Sequence, residues 1–450
     1  MSNNFNFKIK KSEGVINVRK ILLSFIVLFL LSGCFNNKMQ DEDNKNIITD
    51  EQLTNIVINY DLKNDNIDID FLKWIYNEYG YDVIISIQEK LDNNEYNIDI
   101  WHELTGKSLI VLLDYYNKVY ENSNNVKIID TKNKEINLGF VGDVSLADNF
   151  DIMPKYDERG QGVYGILSED VVNIMNSMDI MIANNEFTIS NRGEPLPNKY
   201  YTFRADPSRI SIYKEMGVDL LTLANNHVYD FGEDAFLDTL ETLEKNDFPY
   251  VGAGRNIDEA SKPFYFIANG YKIAFVNATR AEKYILTPEA TDTSSGVLRA
   301  YDPTKFKELI SEVEKDSDFV IALIHWGKED SHELEQVQID TGKEYIDAGA
   351  DILIGTHAHT LQGIEFYKGK AIVYNIGDFI FNRESKDTGI LKIKIANNGL
   401  MTHYFIPCYQ HDMKTSLLID ENKNRVLDNI RNWSINTEIL DTGEFYQINN

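Results

Sequence analysis

Cysteine is nearly absent from this 450-residue chain, and the scarcity removes two classes of architecture. With only Cys34 and Cys408, neither a disulfide framework nor a thiolate zinc cluster can form. Long blocks of Lys and Arg are also missing. The 44 basic residues stand against 71 acidic ones, a net charge of −27 spread along the sequence. A surface for nucleic acid or anionic headgroups would have to be very local, so no nucleic-acid partner is expected. There is no repeat of fixed period and no low-complexity block, which excludes solenoids and arrays. The apolar run from Ile21 to Leu31 is too short to span a bilayer comfortably.

That run has a definite context. Lys8, Lys10, Lys11, Arg19 and Lys20 precede it, and Leu31-Ser32-Gly33-Cys34 closes it. Charge, a short apolar core and small residues in this order match a secretory signal over residues 1–33. The LSGC ending resembles the bacterial lipobox, which implies cleavage before Cys34 and lipid attachment to its sulfur; an uncleaved signal anchor is the competing expectation. Cleavage would leave 39 basic and 70 acidic residues, a net charge of −31. Residues 34–50, rich in Asn, Asp and Lys, read as a flexible spacer. The expected location is the cell membrane, lipid-anchored on its extracytoplasmic face.

With 43% hydrophobic and 12% aromatic residues, the chain can bury an ordinary core and has room for more than one domain. In 51–122, apolar positions recur at helical spacing, as in Phe71-Leu72-Trp74-Ile75-Tyr79, and predict a small helical module. Trp74, Trp101 and His102 read as structural there, and Glu121 to Lys134 reads as a linker. Beyond it, short apolar runs at Ile136–Val141, Ile180–Ala183, Leu220–Ala224, Ile273–Val276, Phe319–Ile324, Ile352–Ile354 and Ile372–Tyr374 alternate with amphipathic stretches. That alternation predicts buried strands and helices of an α/β domain. Runs around Ile390–Ile395 and Met401–Ile406 predict closing strands of a second or mixed sheet. Residues 409–450 read as a C-terminal extension.

Six motifs stand where apolar runs end: GDVSL with Asp143, ANNE ending at Glu186, ANNH ending at His227, HWG at His325, GTHAH with His357 and His359, and GDF at 377–379. Four of the eight histidines lie in them. In open α/β sheets, ligands bind beyond the carboxyl ends of the strands. Each motif alone is weak: Asp143 after Gly142 fits a tight turn or a helix cap, and Glu186 fits a solvated loop acid. Asn225-Asn226-His227 is stronger, because two amides and an imidazole are costly to bury unpartnered. Asp230 can orient His227 or cap the next helix. In an extended His357-Ala358-His359 both rings would project to one side, suiting neighbouring metals. His325 alone would read as a core histidine; together with that pair, metal binding is the better reading. Imidazole, carboxylate and amide donors suit zinc, manganese, iron or magnesium-like ions and disfavour copper.

Taken in order, GDVSL, ANNE, YYTFRADP, LANNHVYDFG, VGAG, HWGKE, GTHAHTLQG and YNIGDFIF resemble the CapA family, over residues 136–408. The family is linked to poly-γ-glutamate capsule synthesis and belongs to the calcineurin-like metallophosphoesterase superfamily. The resemblance implies a metallophosphatase-like layered α/β/β/α sandwich and one or two divalent ions, Mn, Zn or Fe. It implies ligation by Asp143, Glu186 as the bridging carboxylate, Asn226, His325, His357 and His359, with His227 as the histidine that protonates the leaving group or stabilises the transition state. Arg204 of TFRADP can contact an anionic substrate, or form a surface ion pair. Two positions depart from the superfamily pattern: its first motif reads D-x-H, and Ser145 stands in place of the histidine; its second motif supplies Asp, and Glu186 stands there. The first metal position then has only Asp143, Glu186 and His359 as evident ligands, which predicts unequal affinities.

Two functions follow from the resemblance. One is a lipid-anchored protein acting in capsule polymer synthesis, export or anchoring, with a metal-dependent, phosphoesterase-like site. The other is a non-catalytic surface component whose core binds the anionic polymer or membrane synthase subunits.

Overall fold

The computed structural model describes residues 48–59, 62, 67–116, 125–129, 131, 135–269, 271–282 and 286–448. The signal segment and Cys34 lie outside them.

Short, wholly apolar strands can be sheltered only if both of their faces are covered. Phe319–His325, in which all seven residues are buried, is typical. Two sheets achieve this by stacking. One has seven strands in the order Val126–Ile128, Phe264–Ala268, Tyr271–Thr279, Phe319–His325, Ile352–Thr356, Lys370–Val373 and Ile364–Tyr367. The four from Tyr271–Thr279 to Lys370–Val373 run parallel. The second sheet has ten strands. Ile136–Val144, Ile180–Asn185, Leu220–Thr222 and Tyr250–Val251 are parallel neighbours at its heart. The antiparallel pair Lys386–Ile395 and Met401–His411 extends it on the other side of Ile136–Val144.

Leu138, Phe140 and Ile182 of the larger sheet meet Phe275, Ile321 and Ile354 of the smaller one in a shared apolar layer. Helices cover the outer faces. Gly232–Lys245 contributes Phe236, Leu240 and Leu243 against one sheet, and Thr304–Val313 contributes Phe306 and Ile310 against the other. The result is the four-layer α/β/β/α sandwich that the resemblance implied.

Helix starts follow local chemistry: Ser168 accepts a hydrogen bond from Val171 N, with Glu169 and Asp170 in the first turn of Glu169–Asn176. The preceding helices gather Phe71, Trp74 and Trp101 into a core of their own. Val126–Ile128, inside the stretch read as a linker, adds an edge strand parallel to Phe264–Ala268. Residues after 408 are part of the sandwich: Val426, Leu427, Ile430, Ile439 and Phe445 sit in the layer between the sheets. Among the described residues, no helix is long and apolar enough to cross a membrane.

Candidate metal centre

Both sheets turn the carboxyl ends of their parallel strands to one rim. From the larger come Asp143, Glu186 and the Asn226-His227 turn; from the smaller come His325 and the loop of His357 and His359. Asp143 lies inside its strand, which continues through Gly142 to Val144. Gly142 is therefore no turn residue. A Cβ there would come within 1.8 Å of Gly377 O, so glycine is needed for close approach of a second segment. That segment is Asp378–Ile380, which pairs in parallel with Ile136–Val144 and sets Asp378 opposite Asp143.

The sequence reading gave Asp378 no role, yet it completes a group of Asp143, His359 and Asp378 in which both aspartates are buried and the histidine is partly so. His359 Nδ1 lies 2.6 Å from Asp378 Oδ1 and 3.7 Å from Asp143 Oδ2. Its signal was the Gly377-Asp378 pair, which repeats Gly142-Asp143 at the edge of another apolar run. The repeat carried no hint that the two would lie side by side.

Glu186, His325 and His357 form a second buried group. His325 Nδ1 is 2.8 Å from Thr356 Oγ1, leaving Nε2 to face inward. Around Nε2 stand Asn226 Oδ1 at 2.7 Å, His357 Nδ1 at 3.1 Å and Glu186 Oε1 at 3.6 Å. Asn184 joins the groups by donating to Asp143 Oδ1 at 2.8 Å and to Glu186 Oε2 at 3.4 Å.

The electrostatics ask for positive charge. Burial, reinforced by Asp143 and Asp378, holds the Glu186 carboxyl well above its ordinary range. Burial also raises Asp143 to about 6. His325 and His357 are pushed well below the ordinary imidazole value, by burial first and by neighbouring histidines second. Neutral rings and carboxylate oxygens thus aim lone pairs at one another. Glu186 Oε1 and Asp378 Oδ2, both buried, receive no hydrogen bond. Unpaired acceptors that converge in this way fit divalent cations, whose ligands are deprotonated imidazoles and carboxylates.

His357-Ala358-His359 is not extended, contrary to expectation. His357 has φ +94° and His359 φ +55°, so the backbone is left-handed at both. Strain of this kind persists where the surroundings impose it; here His357 N donates to Asp143 Oδ2 at 3.0 Å. The reversal sends the rings to different groups, His357 to Glu186 and His325, His359 to the two aspartates.

His227 stands beside this centre. Its Nδ1 is 2.7 Å from Asp230 Oδ2, and its Nε2 lies 3.9 Å from Glu186 Oε1. Burial lowers its pKa, with Asp230 opposing. Asp230 thus orients the imidazole, and the next helix has Phe231 at its N-cap. Lys199, missed in the sequence reading, is nearly buried with its Nζ 2.8 Å from Asp230 Oδ1 and 3.1 Å from Glu282 Oε1. Phe203 packs on His227 at 4.4 Å between ring centroids, and Phe381 on His359 at 4.6 Å. Arg204 donates to the carbonyls of Arg192 and Gly193 and lies over the Phe231 ring, so its guanidinium is engaged in holding a loop. Ser145 is buried, with an Oγ that makes no hydrogen bond.

Residues 137–383 match the family model described as bacterial capsule synthesis protein PGA_cap. The chain belongs to this family. Among relatives of this PGA_cap protein, the PGA biosynthesis protein CapA of Bacillus subtilis is 30% identical over 271 residues, 59% of this chain and 69% of the relative. The capsule biosynthesis protein CapA of Bacillus anthracis is 32% identical over 202 residues, 43% of this chain and 48% of the relative. A probable polyglutamine synthesis accessory protein of Mycobacterium tuberculosis is 27% identical over 216 residues, 46% and 56% of the two chains. The chain thus spans about half the length of the latter two. The helical module, residues 50–116, precedes the matched segment.

Proposed function

We propose that this PGA_cap protein acts in the synthesis, export or anchoring of a poly-γ-glutamate type capsule polymer and carries a metal-dependent, phosphoesterase-like hydrolase site. The observation that carries the reading is the meeting of two ligand groups, Glu186-His325-His357 and Asp143-His359-Asp378, beside an imidazole backed by a carboxylate. Divalent cations held there would lower the pKa of a bound water and neutralise phosphoryl oxygens. Asp230 and Lys199 hold His227 so that Nε2 faces Glu186, where it can pass a proton to a leaving oxygen. Phe203 and Phe381, both buried, exclude water beside the two histidines. Cations would also offset the repulsion between an anionic polymer and a cleaved chain of net charge −31.

Loaded with Mn, Zn or Fe, the full-length chain in detergent is expected to hydrolyse a phosphodiester. Turnover should fall by about 10²–10⁴-fold in His227→Ala, the usual contribution of a positioned proton-transfer group, and be lost in His357→Ala. A chain that binds cations but turns over no ester with any of them would instead be the polymer-binding component, docking synthase subunits.

The reading also includes a lipid on Cys34 and a place on the extracytoplasmic face of the membrane, supported by the LSGC ending after a short apolar run. The native chain should then partition into detergent and Cys34→Ala into the aqueous phase; equal partitioning of the two would overturn the anchor.

A further inference from the structure

We propose that the two cation positions are chemically unlike: Asp378 takes the ligand place left open at Ser145, so that Asp143, Asp378 and His359 select a hard cation such as Mn²⁺, while Glu186, Asn226, His325 and His357 select Zn²⁺. The inference rests on the metal-site reading above and says which ion each position takes.

The D-x-H pattern would put a histidine two residues after Asp143, on the same face of its strand. Ser145 is too short to replace it as an imidazole donor, and its buried hydroxyl makes no hydrogen bond. The ladder supplies the substitute from the other side. Asp378 is the cross-strand partner of Asp143, and partners directly opposite in a ladder bring their side chains together on one face. Asp378 Oδ2 is buried, accepts no hydrogen bond and has Lys386 Nζ at 3.6 Å. Two fully buried carboxylates side by side are costly unless a cation lies between them. His359 reaches both, within 3.7 Å.

The donor sets therefore differ. The first position offers two aspartates and one imidazole, with Glu186 adjoining. The second offers two imidazoles, one amide oxygen and Glu186. Oxygen-rich sets suit Mn²⁺ and Mg²⁺, whereas imidazole suits Zn²⁺ and its neighbours. Asp378 also restores the number of ligands at the first position, so the expected contrast is in ion preference and no longer in affinity.

The test uses the full-length chain dialysed against limiting Mn²⁺ and Zn²⁺ together, with metal content measured by mass spectrometry and bound Mn²⁺ by electron paramagnetic resonance. Wild type should retain one equivalent of each. Asp378→Asn should lose the Mn²⁺ equivalent and keep the Zn²⁺ equivalent, which also reports that the variant has folded. His357→Ala should do the reverse. Two equivalents of Zn²⁺ in wild type, or Mn²⁺ retained in Asp378→Asn, would overturn the assignment. A wild-type chain that binds neither ion would overturn the metal-site reading beneath it.

Discussion

His359 is held between two carboxylates, and its protonation reflects the contest. Burial disfavours the charged ring, but Asp378 and Asp143 outweigh it and raise the pKa from 6.5 to about 9. A group raised on folding contributes stability that is complete below its unfolded pKa and is lost as pH rises through the folded one. The cation-free chain should therefore lose thermal stability between pH 6.5 and about 9. Asp143, raised from 3.8 to about 6, acts with the same sign in a lower window. Saturating Mn²⁺ must displace the His359 proton, so melting curves with the ion should flatten the decline that chelated samples show. A cation-free melting temperature that rises across this range would contradict the assignment. At this scale much of the centre was legible. Asp143, Glu186, Asn226, His227, His325, His357 and His359 each follow an apolar run whose end must meet solvent or a ligand. Asp378 was passed over because its run is short and its partner is remote in sequence.

Strands and helices form where periodicity places them, since burial on one or both faces is a local property of the chain. Ile136–Val141 and Phe319–Ile324 are strands, lengthened to Val144 and His325. The amphipathic stretch that follows Phe319–His325 forms the helix Gln336–Asp347. Pairing was harder to foresee, as for Asp378–Ile380, three residues that matter because of the strand beside them. Their close approach depends on Gly142. Gly142→Ala would force a methyl group against Gly377 O and push Asp143 and Asp378 apart. A cost of roughly 1–3 kcal/mol in chemical denaturation is expected from such overpacking, together with weaker Mn²⁺ binding. Unchanged stability would show that the ladder is looser than described.

In the whole molecule, the sandwich and the helical module have separate apolar cores, joined along the edge strand Val126–Ile128, whose Ile128 packs against the module. Trp101→Ala should destabilise the chain by roughly 3–5 kcal/mol, the usual cost of emptying a buried Trp site. Cation stoichiometry should not change, because the candidate ligands stand on strands and strand-end loops of the other core. Loss of bound metal in that variant would show that the module supports the centre. By itself the sequence determined the central strands of the sandwich and most of the donor atoms at their ends, because apolar periodicity and ligand chemistry are local. Only the tertiary structure decided that Asp378 lies beside Asp143, that the H-x-H backbone reverses, that Lys199 holds the His227 partner, and that residues after 408 belong to the sandwich. Those contacts join segments far apart in the chain, and they are set by sheet order, register and the space glycine leaves, which no local pattern encodes.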